Sequence, residues 1–258
     1  MLEAKNISFK AGGRFLVKDF SYIFSENKFV VIMGKNGAGK TTALRMLSGG
    51  LKPHSGEILL SGKDIHTIKP EAFARRRAML SQNYDISFPV SVSELVMMGR
   101  YPYFKSRPAK KDFEICDKTM RTLNIENLKD RDYNTLSGGE ARKVHLARTL
   151  AQVWQEAEPK ILFLDEPIAN LDLKYQYEII KLAKERTLHN TMVIAVLHDI
   201  NLANLFADEI IFMKDAEIHS VKKKGEHFEK HILSDIFETN FNIINDSNTD
   251  EGYVTLSH

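Results

Sequence analysis

The stretch Gly34-Lys35-Asn36-Gly37-Ala38-Gly39-Lys40-Thr41 has the residue types and spacing needed to hold phosphate groups. It fits G-x-x-x-x-G-K-[ST] and lies between an apolar run, Phe29 to Met33, and a stretch of helical pattern. Glycines let the backbone wrap closely around an anion, and the N–H groups and dipole of the following helix attract negative charge. Lys40 can reach β- and γ-phosphates, the Thr41 hydroxyl suits Mg²⁺, and Thr42 completes the phosphate-binding set. A glycine-rich turn without a ligand is the alternative, and the correct flanks on both sides weigh against it.

Two further groups could act on a bound nucleotide. Asp165-Glu166 follows the apolar run Ile161 to Leu164, so both carboxylates sit at a strand end. Asp165 there would hold Mg²⁺, and Glu166, one residue further out, could polarise an attacking water as general base. Leu136-Ser137-Gly138-Gly139-Glu140 is the third element. Ser137 and Glu140 form a capping-box pattern, so a helix should begin here with N–H groups exposed. Two glycines after the cap remove side chains that would block a ligand. One nucleotide already occupies the first loop, so the economical arrangement has this second phosphate site close on ATP bound to another copy.

Composition bounds what else the chain can be. Its 258 residues suffice for one sizeable α/β core, with 43% hydrophobic and 27% charged residues. A net charge of +2 makes no case for nucleic acid, and the short basic run Lys222 to Lys224 is expected to be a solvated loop. The single cysteine, Cys116, excludes an internal disulfide; it falls at helical spacing with Phe113, Met120 and Leu123 and is expected to be a core thiol. No apolar run approaches the ~18 residues that cross a bilayer, and the N-terminus lacks signal-peptide order. Service to a membrane is therefore expected through a partner. The nine histidines show no metal-ligand spacing, so direct cargo binding is not expected.

The pattern of the chain supplies the scaffold for these groups. Residues 1 to 32 suggest short β segments punctuated at Gly12-Gly13 and at Glu26-Asn27-Lys28. Phe29 to Met33 predicts a buried strand, residues 41 to 51 a helix, and Glu57 to Leu60 another strand. From Pro89 to about Ala151 the periodicity is helical, with Ser91 and Glu94 as a capping box. Ile161 to Leu164, Met192 to Leu197 and Glu209 to Met213 predict strands of parallel-sheet type. Residues 228 to 258 suggest a polar tail with a short helix near Ile232 to Phe237. The result is an α/β core with a helical insertion between its two halves.

Phosphate loop, glutamine, Leu-Ser-Gly-Gly-Glu, Asp-Glu-Pro and a late histidine occur in the order seen in ABC transporter ATPases, and the chain resembles that family from about residue 2 to 240. The resemblance implies a P-loop NTPase (RecA-like) core, residues 1–86 and 152–225. An N-terminal antiparallel β subdomain, an inserted α-helical subdomain at 87–151 and a C-terminal tail at 226–258 go with it. It makes Gln82 the glutamine that touches Mg²⁺ and water, Asn170-Leu171-Asp172 a loop crossing a dimer interface, and His198 a switch histidine at the γ-phosphate. It implies ATP and Mg²⁺, a homodimer, transmembrane permease subunits, indirectly a substrate-binding protein, and a peripheral place on the cytoplasmic face of the cell membrane. Departures are Ala11 where an aromatic residue usually stacks on adenine, with Phe9 or Phe15 as substitutes, Glu140 in place of glutamine, and Ile168 in place of a small hydroxyl residue.

Ser91 to Pro102 is similar to the iron-chelate, haem and cobalamin importer branch. Gln152 to Pro159, a longer spacer than usual, and Ala11 to Arg14 resemble haem-importer ATPases. The expected function is thus ATP hydrolysis driving haem uptake through a permease. A ferric-siderophore or cobalamin importer, or a non-transport ABC ATPase of cofactor assembly, stands as the alternative.

Overall fold

The computed structural model describes residues 1–258 other than 82–85, 155–157, 170, 246–251 and 258. β1 (Leu2–Ala11) and β2 (Arg14–Phe24) form an antiparallel hairpin turned at Gly12-Gly13. β3 (Phe29–Met33) runs into the phosphate loop and α1 (Lys40–Leu47). β4 (Ser55–Leu60) and β5 (Lys63–Asp64) return to the hairpin, giving an antiparallel sheet of order β2-β1-β4-β5. α2 (Pro70–Arg76) and β6 (Arg77–Leu80) then lead to three helices: α3 (Val92–Met97), α4 (Lys110–Thr122) and α5 (Gly138–Val153).

Alternation resumes with β7 (Lys160–Asp165), α6 (Leu173–Arg186), β8 (Thr191–Val196), α7 (Ile200–Phe206) and β9 (Glu209–Lys214). β10 (Glu217–Lys223) turns back on β9, and α8 (Lys230–Phe237) precedes a hairpin of β11 (Phe241–Asn245) and β12 (Gly252–Leu256). The central sheet has the order β10-β9-β3-β8-β7-β6, parallel except at β10.

β3, β7 and β8 are buried along their whole length because both faces of the sheet are covered. Their period-2 alternation splits the side chains between two cores. Val30, Ile32, Phe163 and Ile194 meet α1 and the antiparallel sheet through Leu44, Leu47, Phe20 and Phe24. Phe29, Val31, Leu162 and Val193 fall in a core shared with the inserted helices and α6 to α8. Each such fully buried side chain contributes roughly 1.5–3 kcal/mol.

Several local expectations change. The N-terminal strands have 10 and 11 residues rather than being short, since register shifts in their pairing absorb the polar interruptions. The predicted helix over 41–51 stops at Leu47, where Gly49 takes a positive φ. The tail carries a β-hairpin as well as its helix, and Asn201 of α7 bonds both the N–H and C=O of Val254. Lys222 and Lys223 belong to β10, not to a loop, and the Lys222 ammonium reaches Asn204 and the Phe228 ring. Cys116 is buried, and burial pushes its thiol up to about 12; Phe113 faces outward.

A buried ion pair fixes the inserted helices. Arg100, 1% exposed, donates from Nε to Asp112 Oδ1 at 2.9 Å and from Nη1 to the Ala151 carbonyl at 2.7 Å, its guanidinium lying over the Tyr103 ring. Asp112 Oδ2 also accepts the Ala109 N–H at the start of α4. Asp112→Ala leaves a buried cation uncompensated and should lower stability by about 3–5 kcal/mol in urea denaturation. A loss within measurement error would show that α4 and α5 are held otherwise.

Candidate active site

The phosphate loop joins β3 to α1 through glycines with φ of +148° (Gly34), +84° (Gly37) and +96° (Gly39). Two of these positions also forbid a side chain for lack of room. A Cβ on Gly34 would lie 2.2 Å from the Met213 carbonyl oxygen, and one on Gly39 2.0 Å from that of Leu16. The loop is therefore pinned between β9 and β2.

Inside the loop, Lys40 Nζ donates to the carbonyls of Gly34 (2.8 Å) and Lys35 (2.9 Å). Burial pulls its ammonium below the usual lysine range, against the carboxylates of Glu166 and Asp165. Thr41 Oγ1 donates to Asp165 Oδ1 at 3.0 Å. Burial pushes the Asp165 carboxyl above the usual aspartate range, opposed by that bond. Lys35 is exposed and pairs with Glu238 at the end of α8, so the tail touches the loop.

These groups border a cavity of about 620 Å³ lined by Asn36, Gly37, Gly39, Lys40, Thr41, Thr42, Glu166, His198 and Leu16. Gly34, Lys35 and Ala38 complete the loop without lining the cavity, and Asp165 lies behind Thr41. His198, just beyond β8, has Nε2 2.8 Å from Glu166 Oε1. Glu166 has a φ of +47°, a conformation uncommon outside glycine, which turns it from the strand direction into the cavity. Gln82 and Asn170 lie outside the described residues.

Ser137, Gly138, Gly139 and Glu140 do not line this cavity. They form the start of α5: Ser137 Oγ accepts the Glu140 N–H, and Glu140 Oε2 accepts the Ser137 N–H. The Ser137 N–H, together with the Ser137 hydroxyl that also donates to Oε2, holds the Glu140 carboxyl below the usual glutamate range. The first intrahelical bond here is Ala141 N–H to Ser137 O, so the amides of Gly138 and Gly139 precede any helical acceptor. A second helix start, with leading amides outside the helical ladder, thus lies apart from the chain's own cavity.

The two aromatic candidates for stacking both have partners of their own. Phe9 stacks on His54 with centroids 4.6 Å apart, and Phe15 carries the Lys10 ammonium on its face. Neither lines the cavity; Leu16 does, an aliphatic residue on β2 that no motif marks. Arg142, also unforeseen, donates from α5 to the carbonyls of Asp165, Glu166 and Pro167.

The profile of the ABC transporter family matches residues 17–169, and the chain belongs to that family as an ATP-binding and ATP-hydrolysing subunit. Among its curated relatives is the Hemin import ATP-binding protein HmuV of Rhodopseudomonas palustris, 38% identical over 240 residues, covering 92% of this chain and 88% of that protein. The protein of the same name from Bradyrhizobium diazoefficiens is 38% identical over 241 residues, with the same coverage of 92% and 88%. A dimeric ATP-binding cassette in a post-hydrolysis state with ADP and Pi matches with a TM-score of 0.75 and 26% identity, over 86% of this chain and 98% of that one. A structure described as an inward-facing metal-chelate type ABC transporter shares the fold, with a TM-score of 0.80 and 20% identity, over 99% and 96% of the two chains. Among the described residues no helix is long and apolar enough to cross a membrane.

Asp165 yields a stability test. An acid whose folded pKa is raised costs stability when ionised, and the cost disappears as pH falls through the folded pKa. Ligand-free Asp165→Asn should therefore melt above the wild type at neutral pH, with the difference shrinking in acid. A thermal melt across pH checks this, and an unchanged or lower Tm at neutral pH would contradict it.

Proposed function

We propose that the chain is the ATPase subunit of a haem importer, working as a homodimer bound to a membrane permease, on the cytoplasmic face of the membrane. The observation that carries the ATPase mechanism is the convergence of Lys40, Thr41, Glu166 and His198 on one cavity, backed by Asp165. The choice of cargo rests on relatives named as hemin import proteins along nearly the whole chain.

In this reading the loop amides and Lys40 take the β- and γ-phosphates of ATP, Lys40 exchanging its two carbonyl partners for phosphate oxygens. The hard oxygen donors Thr41 Oγ1 and Asp165 Oδ1, 3.0 Å apart, fit Mg²⁺, which when bound neutralises charge between the β- and γ-phosphates. Glu166 accepts a proton from the attacking water. His198, with its proton on Nε2, donates to that carboxylate and fixes its direction. Leu16 gives the base an apolar wall without stacking.

The helix end at Ser137–Glu140 serves the nucleotide of the second copy, which is why it stands apart from the chain's own cavity. Two ATP molecules are then enclosed between two chains. Residues 87–151, as an inserted helical subdomain, pass closure to the permease.

Removing the base separates binding from chemistry. Glu166→Gln should bind ATP, accumulate as a closed dimer by size-exclusion chromatography, and hydrolyse ATP about 10²–10⁴-fold more slowly. Hydrolysis at the wild-type rate would displace Glu166 from this role. For the cargo, a strain lacking the chain should lose uptake of labelled haem and keep that of ferric siderophores and cobalamin. Loss of either other cargo with haem uptake intact would overturn the haem reading.

A further inference from the structure

Glu166 is anchored from two sides of the molecule. Its N–H donates to the Val196 carbonyl at the end of β8, and its carboxylate meets His198 two residues further on. Its own carbonyl is taken from the opposite direction by Arg142, five residues into the helix that begins at Ser137. The same guanidinium spans the neighbouring carbonyls, Nη2 to Asp165 O at 3.3 Å and Nε to Pro167 O at 3.2 Å. Three successive carbonyls around a left-handed residue therefore face one side chain of α5.

The contact continues along that face of α5. A Cβ built on Gly139 would lie 3.7 Å from the Leu171 side chain, and the Lys143 ammonium sits 3.2 Å from the Tyr175 ring centroid on α6. Positions 139, 142 and 143 share one helical face. The start of α5 is thus fastened to the segment from Asp165 to Tyr175 by Arg142 and Lys143, with Leu171 close beside Gly139. Of the two side chains, only Arg142 touches the backbone that sets the direction of Glu166.

We infer that Arg142 is a positioning residue that couples the two ATP sites of the dimer: it ties the helix that meets the partner's nucleotide to the loop that aims this chain's own Glu166. The inference rests on the dimeric ATPase reading and deepens it. When the N-terminus of α5 is drawn onto a γ-phosphate of the second copy, Arg142 carries the displacement to the Glu166 carbonyl, whose N–H stays with β8. The Glu166 Cα lies between these two anchored peptide units, so a shift of one turns the carboxylate. An arginine suits this task because its planar fork reaches several acceptors at once, whereas a lysine offers a single point.

The test compares full-length Arg142→Ala and Arg142→Lys with the wild type, in the assembly in which the protein is isolated. Arg142→Ala should bind ATP within a few-fold of wild type, and in a Glu166→Gln background should still close the dimer. Its kcat should fall on the order of 100-fold with little change in KM, the scale of a misplaced catalytic group. Arg142→Lys should recover part of the loss. Wild-type kcat in Arg142→Ala, with Glu166→Gln inactive, would overturn the coupling alone. A kcat loss matched by failed dimer closure or a collapsed Tm would also overturn it, by making Arg142 merely structural. If Glu166→Gln itself hydrolyses ATP normally, the base assignment fails and the inference falls with it.

Discussion

A lysine and an aspartate, 5% and 2% exposed, are buried at the ends of neighbouring elements, and the active site follows from how they are kept paired. A buried charge survives only with polar partners. Here Lys40 turns into its own loop, onto Gly34 and Lys35, and Asp165 accepts from Thr41. On the proposed reading, phosphate oxygens would take the place of the two carbonyls on Lys40, and a cation that of the hydroxyl on Asp165. Burial disfavours the charged form of each group, which is why it moves the two in opposite directions on the pH scale.

Sheet order brings the remaining groups to this pair. β3, β8 and β7 are consecutive in the central sheet, and their carboxyl ends deliver the phosphate loop, His198 and Asp165-Glu166 respectively. Ligands of open α/β sheets collect at that edge because helix N-termini and loop amides face it. What is distinctive is the second capped helix start, at Ser137. α5 is built into the inserted helices through Arg100, Asp112 and Gly99, whose Cβ would strike the Arg148 carbonyl. Its first turns are nevertheless fastened to the core segment Asp165 to Pro167 through Arg142.

The sequence made the phosphate loop, Asp165, Glu166 and the capped start of α5 legible because each is a contiguous motif whose flanks predict a strand end or a helix start. Buried strands were legible for the same reason, as unbroken apolar runs. Leu16 was not, since its role comes from β2 passing beside Gly39, a tertiary contact without a local pattern. Arg142 was not, since it acts on backbone carbonyls that any sequence would present. The C-terminal hairpin escaped because polar residues interrupt Phe241 to Asn245, and what holds it is tertiary: Phe241 and Val254 reach the core, and Asn201 bonds the Val254 backbone. Phe9 and Phe15 offered rings near the right place, and only their partners, His54 and Lys10, show that they are engaged elsewhere.

The central claim is that the helix end at Ser137–Glu140 serves the nucleotide of a second copy rather than its own. Asn36 and Gly138 are both exposed, and Cys116 is buried, so introduced thiols at the first two positions would react without competition. A chain carrying Asn36→Cys and Gly138→Cys, mildly oxidised, should form covalent dimers in the presence of ATP and not without it. Monomers cross-linked within themselves, or no cross-link in protein that has bound ATP, would contradict the account.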